Sequence, residues 1–161
     1  MGIEIERKFL VINDAYKESS TAVLYRQGYI SNDFQRVVRV RVAGKKGFLT
    51  IKSQVSDISR LEFEYEIPLA DAMEMLEHLC LKPLIEKYRY QLNIDGNIWV
   101  VDEFLGDNKG LVVAEIELDS EQQSFSRPAW IGEEVTGDSK YLNASLVSYP
   151  YKRWKRKDQL R

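Results

Sequence analysis

A period of two runs through most of the chain. It is clearest at the start, in Ile3-Glu4-Ile5-Glu6-Arg7-Lys8-Phe9-Leu10. Strand side chains point to opposite faces in turn. Glu4, Glu6 and Lys8 therefore share one face, and Ile3, Ile5, Arg7 and Phe9 the other. The same pattern predicts further strands over 25–31, 36–42, 48–52, 61–67, from 85 to about 90, 98–104 and 111–118. In 36–42, Val38, Val40 and Val42 oppose Arg39 and Arg41. Phe48, Thr50 and Lys52 share a face, and Leu61, Phe63, Tyr65 and Ile67 oppose Glu62, Glu64 and Glu66. Lys87 and Arg89 oppose Tyr88 and Tyr90, and Glu115 and Glu117 share a face. The stretch 43–47 and Asp95-Gly96-Asn97 have turn composition. Helical spacing predicts a helix over 70–81 behind Pro68, with Met73, Leu76 and Leu79 as its apolar stripe. A short helix is expected near 120–126, and a longer one over 138–149, N-capped by Asp138 and ended by Pro150. Residues 13–18 fit a loop or a short helix.

Eight strand candidates joined mostly by short turns argue for an antiparallel sheet. A half-exposed sheet also alternates, with its charges in bulk water. Two features weigh against that arrangement. The charges come as dense like-sign pairs two residues apart, which repel unless something of opposite sign lies between them. Few helical stretches are available to cover the apolar faces, so the sheet has to wrap. The expected fold is α+β but mainly β: a closed eight-stranded antiparallel barrel with a few peripheral helices and a C-terminal helix. Such a barrel encloses a lumen for one small ligand. Charged positions turned inward are costly unless paired or bound. They suit a strongly anionic ligand with a divalent metal. Arginine and lysine grip phosphate oxygens, and paired glutamates hold Mg²⁺ or Mn²⁺.

Composition changes this picture little. A length of 161 residues predicts one domain, 1–161, with a basic tail from about 150. The net charge of −2 exerts no overall pull toward nucleic acid or an anionic membrane, and neither is expected as a partner. A single cysteine, Cys80, excludes an internal disulfide. With no secretory or transit segment evident, a reducing cytoplasm is expected. No apolar run is long enough to span a bilayer as a helix. His78 and Cys80 fit surface and packing roles, and Trp99 and Trp130 fit packing. Gly44-Lys45-Lys46-Gly47 lacks the spacing and following helix of a phosphate loop. The tail Lys152-Arg153-Trp154-Lys155-Arg156-Lys157 reads as a solvated end with Trp154 packed back on the body. Phosphate or base binding there, or attraction of anionic substrate, is the alternative.

One ordered set of motifs carries a resemblance. Glu4-x-Glu6-x-Lys8, Arg39-x-Arg41, Thr50-Ile51-Lys52, Glu62-x-Glu64, Lys87-x-Arg89, Asp102 and Glu115-x-Glu117 follow one another between residues 3 and 118. Together they resemble the CYTH superfamily, the triphosphate tunnel metalloenzymes. The stretch from Trp130-Ile131-Gly132 to Tyr141-Leu142-Asn143 is similar to that family's closing segment. The resemblance implies an eight-stranded tunnel acting on triphosphates with Mg²⁺ or Mn²⁺. It assigns phosphate binding to Lys8, Arg39, Arg41, Lys52, Lys87 and Arg89, and metal binding to Glu4, Glu6, Glu115 and Glu117. Glu62 and Glu64 would position metal or water, so the implied catalytic set is Glu4, Glu6, Lys8, Glu62, Glu64 and Lys87. Glu66 would extend the acidic face to the mouth, and Asp102 matches a family position. The C-terminal helix would plug the tunnel and bring Lys140 to the ligand. Residues 26–29, 62–68, 83–87 and 113–117 most resemble short bacterial members that hydrolyse inorganic tripolyphosphate to pyrophosphate and phosphate. An organic triphosphate is the alternative substrate, through a class IV-type adenylate cyclase or a thiamine or nucleoside triphosphatase. A non-catalytic polyphosphate-binding module is the alternative of another kind. A homodimer is compatible with all of these.

Overall fold

The computed structural model describes residues 2–155. Its strands are β1 (Ile3–Val11), β2 (Val23–Asp33), β3 (Arg36–Ala43), β4 (Lys46–Gln54), β5 (Ser59–Ile67), β6 (Ile85–Ile94), β7 (Asn97–Phe104), β8 (Val112–Glu117) and β9 (Ile131–Glu134). Eight of them close into an antiparallel ring in the order β1-β5-β4-β3-β2-β6-β7-β8 and back to β1. The closure is made by β1. Its residues Ile3 to Ile5 pair with Leu61 to Ser59 of β5, and its residues Glu6 to Leu10 pair with Glu117 to Val113 of β8. β9 adds to the end of β1 at Phe9 and Val11. Closure leaves no long unpaired edge on the ring strands. Tight turns make the hairpins possible. Asp95 and Gly96 both have positive φ, 51° and 82°, the two-residue geometry whose twist matches its flanking strands. Gly44, at φ 59°, opens the β3–β4 turn.

The outer faces of the strands carry most of the apolar packing. Val40 and Val42 pack under helix α1 (Leu69–His78) with Ala72, Leu76 and Cys80. Phe9, Trp99, Val101, Ala114 and Ile116 pack under Tyr16 and Trp130. Phe125 adds edge contacts to Phe9 and Trp99. The inner face is apolar at one end of the ring only. There Leu10, Tyr29, Ile85, Phe104 and Val113 meet Tyr141, Ala144, Leu146, Val147 and Trp154. The segment around residues 141–147 thus plugs that end. Beyond it the same inner rows turn ionic: Lys8, Glu6 and Glu4 follow Leu10 on β1, and Lys87 and Arg89 follow Ile85 on β6.

Several helical expectations need correction. Helix α1 starts at Leu69 and stops at His78, and it buries Ala72, Leu76 and then Cys80 rather than Met73 and Leu79, which are exposed. The reason is close approach: Gly47 has no Cβ, and one built there would lie 2.7 Å from that of Ala72. Residues 120–126 are turn and irregular chain. The Gln123 side chain accepts from the Asp119 amide and donates to Asn97, so it competes with a helix for backbone partners. Residues 138–149 do not form one helix. Leu142 is extended (ψ 134°) and separates a 3₁₀ turn at Ser139–Tyr141 from the four-residue helix α2 (Asn143–Leu146). Asp138 does cap, accepting from the Lys140 amide. Residues 15–19 form a 3₁₀ turn. β9 has no alternating signal, and it is held in part by the Arg7–Glu134 fork at 2.7 and 2.8 Å. Trp154 is buried among Tyr141, Tyr149 and Tyr151, whereas Arg156 and Lys157 of the basic run lie outside the described residues. No helix is long and apolar enough to cross a membrane among the described residues.

Gly28 sits where β2 passes under the end of α1. A Cβ there would lie 2.7 Å from Cys80 Cβ and 2.8 Å from Leu84 Cδ2. Gly28→Ala is expected to cost about 1–3 kcal/mol, as overpacking of a dense core does. A urea titration that gives the wild-type midpoint would show that contact to be slack.

Candidate active site

The alternation that shapes the strands also delivers the site. Register partners share a face, so Arg39 faces Thr50 and Thr50 faces Glu64, while Lys52 faces Glu62 and Lys8 faces Glu115. Lys87 and Arg89 stand level with Phe104 and Asp102. These side chains surround a cavity that opens to solvent. Lys8, Arg39, Arg41, Lys52, Lys87 and Arg89 all line it, with Glu4, Glu6, Glu62, Glu64 and Glu115. Glu117 is exposed and outside the lining, although it pairs in register with Glu6. Glu66 is likewise exposed and outside it. Asp102 lies behind the wall, fully buried between Lys87 and Arg89. Lys140 does not reach the cavity; it sits by Asp138 and over the rings of Tyr141 and Trp154.

Eight lining residues stand outside the expected set, Arg60, Tyr29 and Asn143 among them. Arg60 shares the inner face of β5 with Glu62 and Glu64 and lies 4.0 Å from Glu6. Extending the alternation two residues upstream of Glu62 would have found it. Tyr29 lines the plugged end, in step with Tyr25 and Gln27 and just before the irregularity between Tyr29 and Ser31. Asn143 comes from the plug, outside the strand alternation that named the other lining side chains.

Most cations have an acid within reach. Lys8 lies 3.3 Å from Glu115, Arg39 3.2 Å from Glu64, and Lys52 3.0 Å from Glu62 and 3.4 Å from Glu4. Asp102 takes Lys87 at 2.8 Å and two bonds from Arg89 at 2.8 and 2.9 Å. Burial raises the Asp102 carboxyl, but Arg89 and Lys87 outweigh it and hold the group down at about 2. Arg41 differs. It donates to the neutral Gln27 at 3.1 Å and stacks on Tyr25. Burial, then Arg39 and Arg89, press its pKa down to about 9. Arginine keeps its proton in proteins, so the meaning is an unbalanced buried charge. Arg39 Nε and Arg60 Nε are buried donors with no acceptor among the described residues. Such groups are rare in native folds; Trp99 Nε1 is another, in the apolar cluster, but these two arginines line the cavity, where an oxygen-bearing ligand would satisfy them.

The acids are crowded in the opposite sense. Burial, then Glu115 and Glu4, push Glu6 up to about 7. Burial also raises Glu4, with Glu62 adding to it against Lys52. Burial opposes charge on Glu115, but Lys8, Arg89, Lys87 and a hydrogen bond with Glu6 hold it well down. The side chains of Glu4 and Glu62, and of Glu6 and Glu115, are thus within hydrogen-bonding reach as carboxyl pairs. An all-oxygen set with surplus negative charge fits a hard divalent cation. Among the described residues no three carboxylates converge into a ready-made cage, so water and ligand oxygens would complete the shell.

Comparison with known proteins agrees with this geometry. A CYTH domain model matches residues 2–149. An inorganic triphosphatase of Acetivibrio thermocellus is 59% identical over 155 residues, 96% of this chain and 99% of that protein. An inorganic triphosphatase of Nitrosomonas europaea is 39% identical over 89% of this chain and 96% of that protein. The crystal structure of the inorganic triphosphatase NE1496 superposes with a TM-score of 0.64 at 37% identity, covering 89% of this chain and 93% of that one.

Asp102 provides a test of the cationic wall. Its folded pKa, about 2, lies below the ordinary value of 3.8. Its stabilisation is therefore complete above about pH 4 and lost as pH falls toward 2, an effect on the order of 2 kcal/mol. Asp102→Asn is expected to lower stability at neutral pH by about 3–5 kcal/mol, because Lys87 and Arg89 lose their buried partner. It should also flatten the fall in urea midpoint between about pH 4 and pH 2. An unchanged acid profile in the variant would show that Asp102 carries no such linkage.

Proposed function

The chain belongs to the CYTH domain family, and on that premise we propose that its tunnel hydrolyses inorganic triphosphate to pyrophosphate and phosphate. The observation that carries the reading is the unbalanced cation set inside a closed ring: among the described residues Arg41 has no carboxylate partner, and buried Arg39 Nε and Arg60 Nε have no acceptor. A linear polyanion is the ligand that supplies oxygens along such a wall. The 59% identical relative is itself named an inorganic triphosphatase.

Phosphoryl transfer needs positioning and charge stabilisation more than covalent catalysis. Lys8, Arg39, Arg41, Lys52, Lys87 and Arg89 would hold the phosphate oxygens and stabilise the charge that passes to the departing pyrophosphate. Arginines suit oxygens on a tetrahedral phosphorus because their planar forks donate in pairs. Glu4, Glu6 and Glu115, with Glu117 beyond the lining, would hold Mg²⁺ or Mn²⁺, which supplies charge neutralisation at the phosphate oxygens. Water attacks the terminal phosphorus; the new P–O bond forms as the bridging P–O bond breaks. The proton of that water passes to a lumenal glutamate. Glu62 or Glu64 would take it; Lys52 contacts the first, and Thr50 and Arg39 contact the second. The whole chain, 1–161, would act as one domain, in the reducing cytoplasm that its single cysteine suits.

The deciding assay is release of phosphate from tripolyphosphate, ATP and thiamine triphosphate, each with Mg²⁺ and with Mn²⁺. Tripolyphosphate is expected to give the highest kcat/KM. A higher value with ATP or thiamine triphosphate would move the substrate, and no release from any would leave a binding module. Lys8→Ala and Arg41→Ala should each raise KM and lower kcat, with kcat/KM falling at least about tenfold, the ~1.4 kcal/mol scale of one charge-assisted contact. Wild-type kinetics in both variants would remove these residues from the phosphate site.

The metal assignment has its own test. Glu4→Gln should lower activity strongly and demand more Mg²⁺ for half-maximal rate. Glu117→Gln should do so more weakly, because Glu117 lies outside the lining. A fully active Glu4→Gln enzyme at limiting metal would overturn the assignment.

A further inference from the structure

The plug does more than close the ring. Asn143, the first residue of α2, reaches the cavity and joins the network behind the cationic wall. Its Oδ1 accepts from Lys87 Nζ at 2.9 Å and from Gln27 Nε2 at 3.1 Å. Both donors are unambiguous. A lysine ammonium only donates. Gln27 must present its nitrogen here because its Oε1 accepts from Arg41 Nε, and a guanidinium also only donates. The same Gln27 nitrogen donates to Tyr29 Oη at 2.9 Å. Two cations therefore fix which way the Asn143 amide points, one directly and one through Gln27.

With Oδ1 so engaged, the Nδ2 amino group faces away from Lys87 and Gln27. No acceptor among the described residues takes it, and it is not one of the sealed-off buried donors. Asn143 lines the cavity, so its two N–H groups are left for whatever fills it. We propose that Asn143 Nδ2 donates to the plug-facing phosphoryl group of the substrate, making Asn143 a substrate-binding residue supplied from outside the ring. The assignment rests on the triphosphatase reading above. Its chemistry is specific to that group: an oxygen-rich anion offers acceptors to a neutral amide donor, and Leu142 and Ala144 beside it offer none from their side chains. Oδ1 has a second effect. Asp102 and Asn143 together take two of the three Lys87 donors, which leaves one N–H for the same ligand.

The test is steady-state hydrolysis of tripolyphosphate with Mg²⁺ by wild type, Asn143→Ala and Asn143→Asp, with thermal midpoints measured alongside. The aspartate keeps an acceptor for Lys87 and Gln27 but loses the donor; the alanine loses both without adding charge. Both variants are expected to raise KM at least about threefold, a loss of ground-state contact with substrate, and the aspartate should hold the wild-type midpoint. A purely structural role predicts a lowered midpoint for Asn143→Ala, an innocuous Asn143→Asp, and KM within threefold in both; that result overturns the proposal and leaves the triphosphatase reading intact. A rise in KM in Asn143→Asp alone would be repulsion by the new charge, and also overturns it. A wild type that releases no phosphate overturns the triphosphatase reading instead, before any variant is compared. If Asn143→Ala does not fold, Asn143→Ser takes its place in the comparison.

Discussion

Ionic side chains enclosed by a hydrogen-bonded ring are the constraint on which the rest of this structure depends. Burying a charge is expensive unless it is paired. The ring meets that cost strand by strand, by setting acid opposite base: Lys8 by Glu115, Arg39 by Glu64, Lys52 by Glu62 and Glu4. The pairing is incomplete in both directions. Arg41 has only a neutral partner, and carboxyl groups crowd one another at Glu4–Glu62 and Glu6–Glu115. Excess base and excess acid in one cavity are what a polyanion and a divalent cation together would relieve.

Filling the lumen with charge moves the packing elsewhere. An ordinary barrel of this strand number fills its interior with side chains. Here the core is divided among the outside of the sheet, under α1 and under the aromatic group around Trp99, and the plugged end. The plug is the only one of the three that touches the site. It covers Leu10, Ile85 and Phe104, each the next inward residue after Lys8, Lys87 and Asp102 on its strand. Packing and chemistry are therefore two residues apart along each of these strands.

Those two-residue steps explain how far the sequence could be read. Alternation specifies faces, so the inward sets on β1, β3, β4, β5, β6 and β8 could be named before any coordinates existed. It does not say where along a strand the lumen stops. Glu117 and Glu66 have the right parity yet stand outside the lining, while Arg60 has the same parity and lies within it. Pieces held by tertiary contact were illegible. β9 has four residues, and it is held by its pairing to β1 and by the Arg7–Glu134 fork that β1 supplies. The expected helix over 138–149 has sound periodicity, but Leu142 must be extended for Tyr141 and Leu146 both to reach the inner core. Asn143 follows from that break; the sequence marks it only as the end of the stretch similar to the family's closing segment.

The walls of the tunnel are unequal in support, and that inequality bears on how each half of the chemistry is held. Lys87 and Arg89 stand on β6, locked to buried Asp102 on β7, with β8 and the aromatic group behind. Such a wall has low freedom, which suits groups that must present a fixed row of donors. Glu62 and Glu64 stand on β5. Its outer face carries Leu61, Phe63 and Tyr65, which are 40%, 46% and 59% exposed, and it meets β1 through three register pairs flanked by one backbone hydrogen bond at each end. Few buried contacts and a short seam place β5 at the low-stability side of the ring, where local opening is cheapest. On the mechanism proposed above, a carboxylate that would meet a water and a cation as phosphate leaves is better served by that strand than by a rigid one. The ring thus holds its cations on the well-packed side and two of its acids on the side that can give.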